Sequence, residues 1–151
     1  MTERGTLTLT IGIPSSGKST WVHEQLALKP SIKVISTDSI RGEVTGEFAK
    51  CFPEQNQMVH DIARKRAKEF IEKGEDVIVD STNVDWEEWK EYRALNPKSL
   101  NAKIFLVPPE RALKQQENRE RKVPAAIIEQ KWKTLQSNIS LLAYYFNSIT
   151  F

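Results

Sequence analysis

Apolar residues along this chain switch repeatedly between a short and a long period, which lays out alternating strands and helices. Leu7-Thr8-Leu9-Thr10-Ile11 predicts a strand that ends at Gly12. A helix is predicted to start at Lys18 or Ser19 and to run through Trp21 and Leu26 until Pro30 stops it. Ile32 to Ile35 reads as a second strand, followed by a polar turn at Ser36-Thr37-Asp38. Residues 41–53 show no clean period and read as a loop or broken helix. From Glu54 to Lys73 the apolar positions Met58, Val59, Ile62, Ala63, Ala67, Phe70 and Ile71 form a helical stripe closed by Gly74. Val77-Ile78-Val79 is apolar throughout, as in a strand buried on both faces of a parallel sheet. Asp85 with Glu88 can cap a helix carrying Trp86, Trp89 and Tyr92. Lys103 to Val107 predicts a fourth strand, Pro109 a helix through Leu113, and Pro124 a last helix with Ile128, Trp132 and Leu135. The tail 141–151 fits either a strand or a packed segment.

This order implies an α/β fold: a parallel sheet of about four to five strands sandwiched by helices. With 151 residues, the chain reads as one domain that buries roughly 68–70% of its unfolded surface. The apolar share of 39% and charged share of 28% exclude a disordered chain. A net charge of +2 leaves any contact with nucleic acid to a local basic patch. Cys51 stands alone, so no internal disulfide or thiol pair forms, and it reads as an incidental thiol. Ser15, Ser16 and Lys18 interrupt any signal-like run near the start, and no stretch reaches the roughly 20 apolar residues of a membrane span. A cytoplasmic protein is expected, with no membrane partner.

Chemistry enters at residues 12–19, GIPSSGKS, which match G-x-x-x-x-G-K-S/T at Gly12, Gly17, Lys18 and Ser19. The glycines let backbone N–H groups curl around phosphate oxygens, and the following helix adds its positive end. Lys18 can reach the β- and γ-phosphates, and the Ser19 hydroxyl can ligate magnesium. Average glycine usage of roughly 7% makes this pattern accidental in about half a per cent of chains this long. Its place between a strand and a helix is the context the motif requires. The expected ATP site is Gly12, Pro14, Ser15, Ser16, Gly17, Lys18, Ser19 and Thr20.

Three further segments point to a kinase. In Ser36-Thr37-Asp38-Ser39-Ile40-Arg41, Asp38 falls at the carboxyl edge of the second strand, where it can accept a hydroxyl proton. Arg41 could hold a phosphate or carboxylate of the acceptor. A helix cap at Asp38 and a surface Arg41 is the plainer alternative. In Val77-Ile78-Val79-Asp80-Ser81-Thr82-Asn83, Asp80 could orient magnesium through water, with Thr82 and Asn83 on the acceptor side; a simple turn is the alternative. Asn118-Arg119-Glu120-Arg121-Lys122-Val123-Pro124 could form a mobile lid whose arginine neutralises transition-state charge, or a solvated helix face.

TIGIPSSGKSTW, STDSIR, VIVDSTN and NRERKVP, in that order, resemble the P-loop kinase domain of the phage-type polynucleotide 5′-hydroxyl kinases from Leu7 to about Trp132. The resemblance implies transfer of the ATP γ-phosphate to the 5′-OH of DNA or RNA. It implies Lys18 and Ser19 on phosphate and magnesium, Asp38 as general base, and Arg41 on the phosphate next to the terminal nucleoside. Arg119 would be the lid arginine, with Arg121 its rival should the lid shift by two residues. Gln115-Gln116 stands where the family often has Arg-Asn, which leaves the adenine contacts open. A kinase for a small-molecule hydroxyl, and a nucleotide-dependent module without transfer, are the competing classes.

The long helix carries Arg64, Lys65, Arg66 and Lys68, a face that could track phosphates or simply be solvated, with Asp61 placed to pair with Lys65. Trp86, Trp89, Tyr92 and Tyr144-Tyr145-Phe146 could stack on bases, but core packing is the default expectation.

Overall fold

A computed structural model describes residues 3–46, 53–120 and 122–151. Cys51 and Arg121 lie outside the described residues. The strands are β1 (Leu7–Ile11), β2 (Lys33–Ser36), β3 (Val77–Asp80), β4 (Leu100–Ile104) and β5 (Ser148–Thr150). The helices are α1 (Lys18–Leu28), α2 (Thr37–Thr45), α3 (Pro53–Glu72), α4 (Trp86–Arg93), α5 (Pro109–Gln115), α6 (Ala125–Asn138) and α7 (Leu142–Tyr145). The strands form one sheet in the order β2-β3-β1-β4-β5, every pair parallel. The α/β architecture is therefore that of a P-loop NTPase, with β1 at the centre.

Parallel pairing sends every strand's carboxyl end to the same edge. The register Ser36↔Asp80 aligns β2 with β3, and Leu9↔Val79 aligns β3 with β1. The loops after β1, β2 and β3 therefore open side by side, where α/β sheets bind ligands.

Leu7, Leu9, Ile11, Leu100, Ala102 and Ile104 face a core built with Val59, Ala63, Ala67 and Ile71 of α3 and with Trp89 and Tyr92 of α4. Leu135, Leu142 and Phe146 complete it. The default of core packing thus holds for Trp89, Tyr92 and Phe146. Tyr144 is exposed, and Trp86 stacks on Tyr145 with ring centroids 6.2 Å apart.

Several boundaries differ from expectation. β4 lies three residues earlier than the apolar run Lys103–Val107, because its ladder ends where β1 ends, at Ile11↔Ile104. Its alternating pattern, with Asn101 and Lys103 half-buried, reflects dense cover on one face only. The polar turn after β2 is already helix: Ser36 caps α2, accepting a bond from the Ser39 N–H at 3.2 Å. Asp85 does occupy the N-cap of α4, but its side chain makes no cap bond. The tail resolves into both alternatives, a short helix and then β5. Among the described residues no helix is long and apolar enough to cross a membrane.

Candidate active site

The loop after β1 is held open by its backbone. Gly12 donates its N–H to the Thr82 carbonyl at 3.0 Å, which ties the loop to the segment after β3. A Cβ on Gly12 would meet Ser16 Oγ at 2.8 Å and Phe105 Cβ at 2.9 Å, so no side chain fits there. Ser15 at φ 63 and Gly17 at φ 97 take the left-handed turns that curl the loop. No side chain caps α1, so its first N–H groups remain available to an anion.

Lys18 folds into this loop. Its Nζ donates to the Ile13 carbonyl at 2.7 Å, the Gly12 carbonyl at 3.0 Å and Ser16 Oγ at 3.4 Å. Burial lowers its pKa to about 8, against the opposing charges of Asp80 and Asp38, while Arg119 pushes the same way as burial. The loop thus holds a desolvated cation whose natural partner is a buried anion.

Ser19 Oγ donates to Asp80 Oδ2 at 3.2 Å. Burial pushes the Asp80 carboxyl upward, with Lys18 and Ser19 countering. This pair of hard oxygens suits Mg²⁺, which keeps most of its ligands as waters and phosphate oxygens. Among the described residues there is no cluster of three or more His, Cys, Asp or Glu able to hold a metal without such help. Thr10 Oγ1 shapes the turn beyond Asp80, donating to the Ser81 carbonyl at 2.8 Å and accepting from the Ser81 N–H at 3.1 Å.

Asn83 lines the cleft next to Thr82, but its side-chain amide is turned to the scaffold. It is buried at φ 46, and its amide donates to the Thr10 carbonyl at 2.8 Å and the Val79 carbonyl at 3.3 Å. Its own carbonyl accepts the Trp89 indole N–H at 2.6 Å. Its donors are spent on the scaffold, while Thr82 stays half-buried at the cleft wall.

Across the cleft, Asp38 sits in the first turn of α2 rather than at its cap. Arg41 Nη1 donates to Asp38 Oδ1 at 2.7 Å and Nη2 donates to Asn56 Oδ1 at 3.1 Å. A cleft of about 1120 Å³ brings Asp38, Arg41, Lys18, Ser19, Asp80, Thr82 and Arg119 together, along with Pro14 to Thr20. Its far wall holds Asn56, His60, Glu88 and Lys131; of these the sequence points only to Glu88, and as a helix cap rather than a cleft residue. Asn56 and His60 at a spacing of four, with Arg64 next in the same series, were the available signal. Arg64 Nη1 donates to Glu88 Oε2 at 3.0 Å, and His60 Nδ1 lies 3.7 Å from the same oxygen. Burial lowers the His60 pKa, against the pull of Glu88. Asp61 pairs with Arg64 at 2.5 Å instead of Lys65, and Arg66 pairs with Glu43 at 2.7 Å, so half of the basic face on α3 is already neutralised.

The arginine-bearing stretch reaches the loop from the other side, with Arg119 Nη1 donating to Ser15 Oγ at 3.0 Å. Gln116 is buried and its amide is engaged by protein partners, while Gln115 is exposed at the cleft.

A family model described as an AAA domain matches residues 7–142. The chain belongs to this AAA-domain family. In fold, this AAA domain resembles a chain of the Pnkp1/Rnl/Hen1 RNA repair complex, at TM-score 0.79 and 19% identity over 93% of this chain and 47% of that one. It therefore spans about half the length of that relative. A gluconokinase from Sinorhizobium meliloti 1021 matches at TM-score 0.67 and 15% identity, over 99% of this chain and 83% of that one. A sugar kinase from Janibacter sp. HTCC2649 matches at 0.68 and 17%, over 87% and 78%. At such identities the likeness shows the fold, which is a kinase-like P-loop fold.

Proposed function

We propose that this AAA domain transfers the γ-phosphate of ATP to the 5′-hydroxyl of DNA or RNA. The observation that carries this reading is Asp38, paired to Arg41 at 2.7 Å, sharing one cleft with Lys18, Asp80 and Arg119. Its charge is felt at both Lys18 and Asp80.

The loop Gly12–Thr20 binds the phosphates through backbone N–H groups, and Lys18 exchanges its loop carbonyls for phosphate oxygens. Ser19 and Asp80 would hold Mg²⁺, which would supply charge neutralisation at the phosphate oxygens. Asp38 takes the proton from the acceptor hydroxyl as that oxygen bonds to the γ-phosphorus. The bond from the γ-phosphorus to the β–γ bridging oxygen breaks, and ADP leaves. Arg119 balances the negative charge on the transferring group, and Arg121 is the alternative arginine in the same stretch. Arg41 orients Asp38 and grips the acceptor phosphate, with Thr82 beside it and Asn83 holding the wall behind.

A small-molecule acceptor is the second reading, favoured by Asn56, His60, Glu88 and Asp85 on the far wall. Such a mixed polar wall suits a hydroxyl-rich ligand as well as a nucleotide end.

The test is label transfer from γ-labelled ATP to a 5′-OH oligonucleotide, a 5′-phosphorylated control and a panel of sugars and nucleosides. Label on the 5′-OH oligonucleotide alone is the expected result; label confined to a metabolite replaces this reading with the second. Asp38→Ala should lower transfer by about 10²–10⁴-fold while ATP still binds. Transfer retained in that variant removes Asp38 from its role.

A further inference from the structure

Gln116 ends α5 just before the stretch that carries Arg119, and it is 5% exposed. Its amide reads both backbone polar groups of one residue, Val123. Nε2 donates to the Val123 carbonyl at 2.9 Å, and Oε1 accepts the Val123 N–H at 3.1 Å. This two-way exchange copies a hydrogen-bonded pair of an antiparallel ladder. Val123 also packs against the apolar cluster of Ile13, Ala112 and Ile128. Both ends of the stretch between Gln116 and Val123 are therefore pinned, and the Arg119 N–H closes a turn onto the Gln116 carbonyl at 3.0 Å.

The same Oε1 takes a second bond, from Ser15 Oγ at 3.4 Å. Ser15 is also the perch of Arg119, whose Nη1 donates to Ser15 Oγ at 3.0 Å. A hydroxyl that accepts from a guanidinium must send its own proton elsewhere, and Gln116 Oε1 receives it. Arg119, Ser15, Gln116 and Val123 thus form one directed chain of donors from the arginine to the buried amide.

We infer that Gln116 is a positioning residue that sets Arg119 against the phosphate loop before nucleotide arrives. The inference rests on the ATP-dependent transfer proposed above. Without the clamp, the stretch must be ordered anew in each turnover, and Arg119 loses the oriented hydroxyl that holds it. Glutamine is required by length and by chemistry. Asparagine is one methylene short of Val123, and glutamate cannot donate to the Val123 carbonyl. The engaged amide also leaves Gln116 unsuited to reading adenine.

Two readouts test this independently. In the nucleotide-free chain, hydrogen exchange at the Val123 N–H should accelerate about tenfold or more in Gln116→Ala, the factor expected for one lost hydrogen bond, and stay unchanged in Arg119→Ala. In turnover, Gln116→Ala should lower kcat about tenfold with the KM for ATP moved less than about threefold. In an Arg119→Ala background the same change should move kcat less than about twofold, since the effect passes through Arg119. Gln116→Glu should fall between Gln116→Ala and the parent. Should Gln116→Ala fail to fold, Ser15→Ala cuts the chain of donors at the loop and should be equally non-additive with Arg119→Ala. Unchanged Val123 exchange, or additive losses in the double variant, overturns the inference while leaving phosphotransfer standing. Absence of transfer by the parent chain to every acceptor defeats the proposed function, and the exchange result still reports on the clamp.

Discussion

β3 is bracketed by two aspartates with opposite fates. Asp76, just before the strand, accepts from the Thr6 N–H at 3.0 Å and the Thr6 hydroxyl at 2.9 Å through Oδ1, and from Lys29 Nζ at 2.5 Å through Oδ2. Chiefly because of the Lys29 bond, its pKa is lowered to about 2. Asp80, at the strand's other end, receives one bond from the Ser19 hydroxyl, and burial pushes its pKa up. One residue type at the two ends of one strand becomes a staple where donors saturate it and a buried, cleft-facing carboxyl where they do not. The amino edge of the sheet is finished within the chain; the carboxyl edge holds a buried amine at Lys18 and a buried carboxyl at Asp80, which phosphate oxygens and Mg²⁺ respectively would complete.

The sharpest way to break the contrast is Asp80→Asn, which removes the under-satisfied carboxylate. We expect phosphotransfer to fall by about 10²–10³-fold, the scale for losing one preorganised transition-state group, with the melting temperature held or raised. Assays across a Mg²⁺ titration check this; unimpaired transfer would show that Asp80 is only a turn residue.

The next effect follows from Lys18, the cation beside Asp80. Its folded pKa of about 8 lies below its ordinary value of 10.5, so the unfolded chain binds more protons between those values. Stability of the nucleotide-free protein should therefore rise with pH across that window. ATP binding needs the charged amine, so affinity should be flat below about pH 8 and fall by up to about tenfold per unit above it. Calorimetric titration in buffers of different ionisation heat should show proton uptake on binding near pH 9. No uptake there would mean that Lys18 is charged throughout.

The smallest effect belongs to the amino edge. Asp76→Asn should cost about 1 kcal/mol at neutral pH, given partial exposure of the Lys29 pair, and leave transfer unchanged. Because Asp76 titrates lower folded than unfolded, its contribution is present above about pH 3.8 and lost as pH falls through about 2. Paired thermal melts at pH 7 and pH 2 measure the difference, which should be mostly lost at the lower pH.

Much of the fold was legible locally. The helical stripe of α3, the apolar β3 and the motif after β1 depend on neighbours a few residues away, and each stands where the pattern put it. β4 was misplaced because its limits come from pairing with β1, and a run such as Ile104-Phe105-Leu106-Val107 carries no record of that register. The place of Asn83 at the cleft is visible from its position after Asp80, whereas the bonds that tie its amide to Thr10 and Val79 are not. The pairing of His60 with Glu88 is not legible in the sequence because they meet only when α3 and α4 pack together.

The amino-acid sequence by itself determined the strand and helix order and the phosphate loop, since glycine freedom, apolar period and a lysine–serine pair act within a few bonds of the backbone. Tertiary structure alone decided which aspartate was satisfied, which glutamine was buried and that Arg119 met Ser15. Those outcomes depend on desolvation and on partners up to 104 residues apart, and both arise only once distant segments share one cleft.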